Sequence, residues 1–181
     1  MKKTLLTTFI AALILTSSAQ PKSFSKADID GYHTQLIAKM INVIQPELNE
    51  TAKNRIAKSL YMTTRKYKID PRLMVAIIGT ESDFVNEKIS TTGDLSLAQI
   101  NTEIWNKEFV RLGLNKLNPK LLKKDEAYAL NKMAEILNIL KVRHAKNDSK
   151  WFARYHSHTK KYKNLYSLKV EKRMRMIASI N

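Results

Sequence analysis

Residues 70–82 read Asp70-Pro71-Arg72-Leu73-Met74-Val75-Ala76-Ile77-Ile78-Gly79-Thr80-Glu81-Ser82. An aspartate at an N-cap accepts a hydrogen bond from a free helix amide, and a proline at the next position has no amide hydrogen to lose. The pair therefore predicts a helix starting at Pro71. From Leu73 to Ile78 the segment is apolar almost all round, where a surface helix would carry a single apolar stripe. This helix belongs in the middle of the fold. Glu81 follows after only Gly79 and Thr80, which places a carboxylate at the end of a buried helix, beside Ser82 and Phe84. A carboxyl group in an apolar cleft ionises less readily, and a proton kept near neutral pH suits a general acid. The plainer alternative is a helix-end carboxylate that faces solvent.

The flanking sequence reads as more helices. Ser25 suits an N-cap, and Ile37, Met40, Ile41 and Ile44 recur at helical spacing until Pro46 ends or kinks the pattern. Asn49 opens a second helix with Ile56, Leu60 and Tyr61 on one face and Lys53, Arg55 and Lys58 largely elsewhere. Ile89 to Ile100, with Thr91-Thr92-Gly93-Asp94 inside it, reads as a loop or short hairpin. Asn118-Pro119 restarts a helical region, and Ala127, Leu130, Met133, Ala134, Leu137 and Leu140 mark a long amphipathic helix. A last helix runs from about Lys160, with Leu165, Tyr166, Val170, Met174 and Ile177 inward. There is no internal repeat and no low-complexity tract.

Composition agrees with a packed helical domain. Of 181 residues 44% are hydrophobic, too many for a disordered polar tail, and only four Gly and four Pro argue against a many-turned β architecture. A chain this long buries roughly 70% of its unfolded surface, enough for stability without staples. The absence of cysteine excludes disulfides, thiol chemistry, Cys-ligated metal and a lipoprotein anchor. A formal charge of +16 calls for an anionic partner and does not choose among nucleic acid, membrane surface and cell wall. The N-terminus narrows that choice. Met1-Lys2-Lys3, the apolar stretch Leu5 to Leu15, and Ser17-Ser18-Ala19 form the three parts of a secretory signal, with cleavage before Gln20. The run is short for an uncleaved membrane anchor, which is the other reading. An exported chain of charge +14, periplasmic or secreted, seldom meets nucleic acid, so none is expected as a partner.

Three ordered segments carry a family resemblance. Ile69 to Ile78 followed by Glu81-Ser82-Asp83-Phe84, then Gly93-Asp94-Leu95-Ser96-Leu97-Ala98-Gln99-Ile100-Asn101, then Ala153-Arg154-Tyr155-His156-Ser157-His158 resemble a lysozyme-like lytic transglycosylase of the SLT type. In that family a Glu-Ser pair ends a buried helix, a Gly-Leu-Met-Gln-Ile-like turn follows across the cleft, and a Tyr-Asn-x-Gly motif lies nearer the C-terminus. The resemblance spans about Lys53 to Met176. It implies a mainly α, goose-type/SLT lysozyme-like domain with a small β-hairpin or loop lining the cleft. The corresponding division is residues 1–19 as signal peptide, 20–50 as an N-terminal helical extension on the outside or shielding the cleft, and 51–181 as the catalytic domain. Departures are Ser96 where the family has Gly, Ala98 where it often has Met, and His156 and His158 in place of Asn and Gly.

The resemblance implies cleavage of the β-1,4 bond between N-acetylmuramic acid and N-acetylglucosamine in peptidoglycan, with 1,6-anhydromuramic acid as product. Glu81 is the implied acid and then base. Gln99 and Tyr155 line the cleft. Ser82 positions the sugar or the loop, or makes only a helix-end hydrogen bond. His156 supplies the hydrogen bond that Asn would make, or titrates near neutrality and adds a pH dependence. The chemistry requires no metal and no cofactor, and His156-x-His158 lacks a third ligand. Two alternatives stand beside it. Asp94 facing Glu81 would make a hydrolytic muramidase. The basic run Lys160 to Arg175, with Tyr162, Tyr166 and Trp151 nearby, would suit a non-catalytic module that binds wall polymer, anionic lipid or nucleic acid. The expected partner is the peptidoglycan glycan strand, met by a monomer with no stable membrane anchor.

Overall fold

The computed structural model describes residues 25–180, so the expected signal peptide, residues 1–19, lies outside the described residues. The described chain forms α1 (Lys26–Ile44), α2 (Glu50–Tyr67), α3 (Pro71–Glu81), α4 (Thr102–Arg111), α5 (Pro119–Lys124) and α6 (Glu126–His144), then a 3-10 turn (Trp151–Tyr155) and α7 (Lys160–Met176). Local chemistry sets the starts. Ser25, Asn49, Asp70, Asn101, Asn118 and Asp125 each accept a backbone amide at the head of their helix, and Ser25 forms a reciprocal capping box with Asp28. Pro71 and Pro119 occupy the first turn, where proline loses nothing.

α3 is the centre of the molecule. Met74 to Ile78 are fully buried, and α1, α2 and α7 all pack against α3. α1 supplies Ile37, Met40 and Ile41 to the same core and does not shield the cleft. It closes on α2 through Lys53, which the amphipathic pattern places away from the core. Lys53 is in fact only 3% exposed, because its ammonium finds Asn42 Oδ1 at 2.5 Å, Glu50 Oε1 at 2.8 Å and the Pro46 carbonyl at 3.1 Å. A buried ammonium with three acceptors avoids most of the cost of losing water. Two periodic readings also shift. In α6 the inward face starts at Ala129, not the exposed Ala127, while Glu126 is buried against Arg55 of α2 at 3.1 Å. In α7 Tyr166, Val170 and Ile177 are buried but Leu165 is 51% exposed. Helix α4, unassigned from sequence, is held by the i,i+4 pair Trp105 and Phe109 behind the Asn101 cap.

Residues 89–100 carry no extended strand. Leu95 makes isolated antiparallel bridges with Ile89 and with Ile100, so this segment is a double-turned loop, and it buries Leu97, Ala98 and Ile100 on the core. No described helix is long and apolar enough to cross a membrane.

The end of α1 approaches the site helix closely. A methyl group on Gly79 would lie 2.5 Å from Ile44 Cγ2 and 3.3 Å from Arg173 Nε, so glycine is required for contact and not for backbone freedom. Gly79→Ala is expected to destabilise the protein by about 1–3 kcal/mol, read as a lower midpoint in urea unfolding.

Candidate active site

Glu81 is the last residue of α3, and its backbone carbonyl accepts Lys88 Nζ at 2.9 Å. Its side chain stands between two hollows that share Glu81 and His156. The larger, about 360 Å³, is also lined by Asp94, Gln99, Trp105 and Tyr155. The smaller, about 170 Å³, is lined by Thr80, Tyr162, Leu165, Tyr166 and Lys169. Tyr166 Oη donates to Glu81 Oε1 at 2.6 Å, joining the last helix to the carboxylate. Burial pushes the Glu81 carboxyl up to about 7. The Tyr166 hydrogen bond opposes that rise, Asp94 adds to it, and Lys88 and Lys169 oppose it more weakly. Burial and the neighbouring Glu81 hold the Tyr166 phenol well above its ordinary range, so it remains a proton donor.

The loop over Glu81 is clamped from below. Ser82 Oγ donates to the Leu97 carbonyl at 2.6 Å and accepts the Phe84 amide at 3.1 Å. Ser82 is 2% exposed and lines neither hollow, so of the two positioning roles it holds the loop and does not touch the sugar. Gln99 lines the larger hollow and donates its side-chain amide to the carbonyls of Ser96 at 2.8 Å and Lys88 at 3.0 Å. Tyr155 Oη donates to the Ala98 carbonyl at 2.7 Å, which fastens the third motif to the second. Asp148 positions that third motif by accepting Lys163 at 2.8 Å and Arg154 at 3.0 Å.

His156 does something other than the expected Asn-like hydrogen bonding. Its ring stacks on Tyr166, with centroids 4.7 Å apart and planes 5° from parallel. Partial burial and the Lys169 charge hold the imidazole below its ordinary range, so the stacked ring is neutral at neutral pH. Asp94 lies in the same hollow as Glu81, but both its oxygens are occupied. Thr92 Oγ1 at 2.7 Å and Ser90 Oγ at 2.8 Å donate to Oδ2, and Asn101 Nδ2 donates to Oδ1 at 2.8 Å.

A still larger hollow, about 660 Å³, lies between α1 and the C-terminal half of α2, away from Glu81. Its carboxylate, Asp30, is already engaged by Tyr61 at 2.6 Å and Arg65 at 3.0 Å, and its histidine, His33, stacks on the Tyr61 ring. The cleft that holds Glu81 is the candidate site.

The model of the transglycosylase SLT domain family matches residues 58–155, just over half of the chain. The chain belongs to that family. No curated protein matches the sequence. Membership accounts for the mainly helical, lysozyme-like fold, and it assigns the chain to glycosidic-bond-cleaving enzymes that act on peptidoglycan. The matched span ends at Tyr155, whereas Tyr166 and Lys169, which act on Glu81 from α7, lie beyond it. From sequence Tyr166 reads as an inward-facing residue and as an aromatic neighbour of the basic run, not as a partner of Glu81. The one signal of a further role is a phenol on an otherwise aliphatic buried face, since a buried hydroxyl needs a partner.

Two substitutions separate tether from tuning in this SLT domain. Ser82→Ala leaves the buried Leu97 carbonyl without its donor and is expected to cost about 1–3 kcal/mol in chemical denaturation. Tyr166→Phe removes the hydrogen bond that favours ionised Glu81, so the Glu81 titration is expected to move above about 7, observed by NMR of the labelled carboxyl carbon.

Proposed function

We propose that the protein is a peptidoglycan lytic transglycosylase, acting outside the cytoplasm as a monomer, in which Glu81 is both general acid and general base. The observation that carries this reading is a carboxyl at the edge of the core, pushed up to about 7 and hydrogen-bonded to Tyr166 in an open cleft. In the protonated form Glu81 gives its proton to the glycosidic oxygen between N-acetylmuramic acid and N-acetylglucosamine. The C1–O bond breaks, its electron pair goes to the departing oxygen, and C1 becomes oxocarbenium-like. The Glu81 carboxylate then takes the proton of the muramic acid C6 hydroxyl as O6 bonds to C1. This closes the 1,6-anhydro ring and restores protonated Glu81. No water enters the balance, so no second carboxylate is needed to activate one. Tyr155 and Gln99 form the cleft wall on which the sugars rest, and His156 packs over Tyr166 beside the acid.

A hydrolytic muramidase reading rests on Asp94, which shares the cleft and disfavours the ionised form of Glu81. Against it, three donors hold Asp94 within its own loop and leave its oxygens little capacity to activate water. Mass spectrometry of digested peptidoglycan separates the two readings. Anhydro ends are expected, and reducing ends would overturn the transglycosylase assignment.

Glu81→Gln is expected to lower cleavage by roughly a hundred- to ten-thousand-fold, and full retained activity would remove Glu81 from the chemistry. In the native protein kcat/KM should fall as pH rises through about 7, as the acid form is lost. Stability has the same origin. Because folding raises the Glu81 pKa, the folded state binds more protons than the unfolded chain between about 4.5 and about 7. Stability therefore declines across that window, by roughly 3 kcal/mol in all. Glu81→Gln abolishes this decline, so the variant should melt above the native protein at pH 8 and close to it at pH 4, as read by calorimetry.

A further inference from the structure

The outward face of α7 sets apolar side chains among cations. At 100° per residue, Lys161, Leu165, Leu168, Lys172, Arg175 and Met176 fall on one side, opposite the buried Tyr166, Val170 and Ile177. Leu165, Leu168 and Met176 are 51%, 56% and 47% exposed, and they spread over roughly three turns of helix. A lone exposed leucine is ordinary, whereas a file of apolar side chains along one helix face marks a contact surface. The cations among them are uncommitted. On the flanks of α7, Lys163 pairs with Asp148, Arg173 with Asp83 and Glu171 with Lys150. Among the described residues, Lys161, Lys172 and Arg175 make no ion pair, and this face carries no acidic residue.

We propose that this face docks the protein on the surface of an anionic phospholipid bilayer. The charge requires an anionic partner, and the leucines and methionine choose which one. A hydrophilic wall polymer would reward the lysines and gain nothing from Leu165, Leu168 and Met176. A bilayer interface rewards both, because apolar side chains enter the acyl boundary while lysine stems lie along it and keep their ammonium groups among the phosphates. Tyr162, 54% exposed at the first turn, suits the same boundary. The face continues to the hollow beside Glu81, which Tyr162 and Leu165 also line, so docking would set the cleft at the membrane-proximal side of the substrate. This inference is independent of the chemistry at Glu81.

Co-sedimentation of the chain from Gln20 onward, which holds every described element, tests it with vesicles of phosphatidylcholine containing about one-third phosphatidylglycerol. Binding is expected to these vesicles and not to phosphatidylcholine alone. Two multiple variants probe the two components: Lys161→Gln with Lys172→Gln and Arg175→Gln, and separately Leu168→Ser with Met176→Ser. All five positions are exposed, so unchanged circular dichroism and melting should accompany at least a tenfold loss of vesicle binding in each variant. Failure of the native chain to bind the anionic vesicles at low salt overturns the proposal. So does native-strength binding by the Leu168→Ser, Met176→Ser variant, since the face would then be a simple polycation for any polyanion. Undiminished binding by the triple charge variant would equally place the lipid contact elsewhere.

Discussion

Everything in this molecule follows from burying one helix on all sides and ending it on an acid. α3 could be placed in the middle only because Leu73 to Ile78 offer apolar groups in every direction and Gly79 lets Ile44 pack against the backbone. The helix stops at Ser82, whose hydroxyl is taken by the Leu97 carbonyl, and Glu81 at its end lines the cleft while staying largely within the apolar surroundings of the core. The raised pKa of Glu81 is therefore a consequence of core packing, with burial as its largest cause. A carboxyl held this way opposes folding once it ionises, and that cost is tolerated because the buried helices on either side supply far more apolar contact than one carboxylate can cancel.

The loop that covers the acid is strained where it does most to shape the cleft. Asp83 and Phe84, two and three residues after the acid, have φ of 50° and 66°, and Ser96 and Gln99, in the second motif, have φ of 70° and 48°. Non-glycine residues rarely enter this left-handed region, and for a bulky phenylalanine it is a genuine outlier. Ser96 stands where the family has glycine, and its conformation explains the family preference. Strain of this sort persists only when the surroundings over-determine the fold of the chain. Here the surroundings are specific: Ser82 holds Leu97, Tyr155 holds Ala98, and the Gln99 side chain ties the carbonyls of Ser96 and Lys88 together. The motif residues Ser82, Gln99 and Tyr155 are thus occupied with the backbone of the loop.

How much of this the sequence discloses depends on how local the cause is. Caps and proline positions are local, so the starts of α1, α2, α3 and α5 are legible from Ser25, Asn49, Asp70 and Asn118. The burial of Leu73 to Ile78 and the position of Glu81 are legible for the same reason. Pattern reading fails where a partner distant in sequence decides the outcome. Lys53 goes inside because Asn42 and the Pro46 carbonyl meet it, and Glu126 goes inside because Arg55 lies 71 positions away. Ser82 reads equally as a sugar contact, a loop holder or a helix-end hydrogen bond, and the Leu97 carbonyl 2.6 Å from its hydroxyl decides for the loop. His156 occupies the place of a hydrogen-bonding residue and stacks instead, because Tyr166 from the next helix presents a ring face to it. That tyrosine is the residue pattern reading misses most, since its partner lies 85 positions earlier in the chain.

Under the proposed mechanism Glu81 first gives a proton and then takes one, so both its forms are needed at the same pH. Burial alone would make Glu81 a strong keeper of its proton and a slow donor. Cations alone would leave it ionised and unable to start. Here burial and Asp94 push the pKa up, while the Tyr166 hydrogen bond, Lys88 and Lys169 push it down, and the balance falls at about 7. The downward contributions come from outside α3: Tyr166 and Lys169 from α7, and Lys88 from the loop. α7 is then more than a closing element of the core. Its inner face, through Tyr166 stacked beneath His156, fixes both the orientation of the carboxylate and the ease with which it parts from its proton. A displacement of α7 that breaks the Tyr166 hydrogen bond would therefore act directly on the acid.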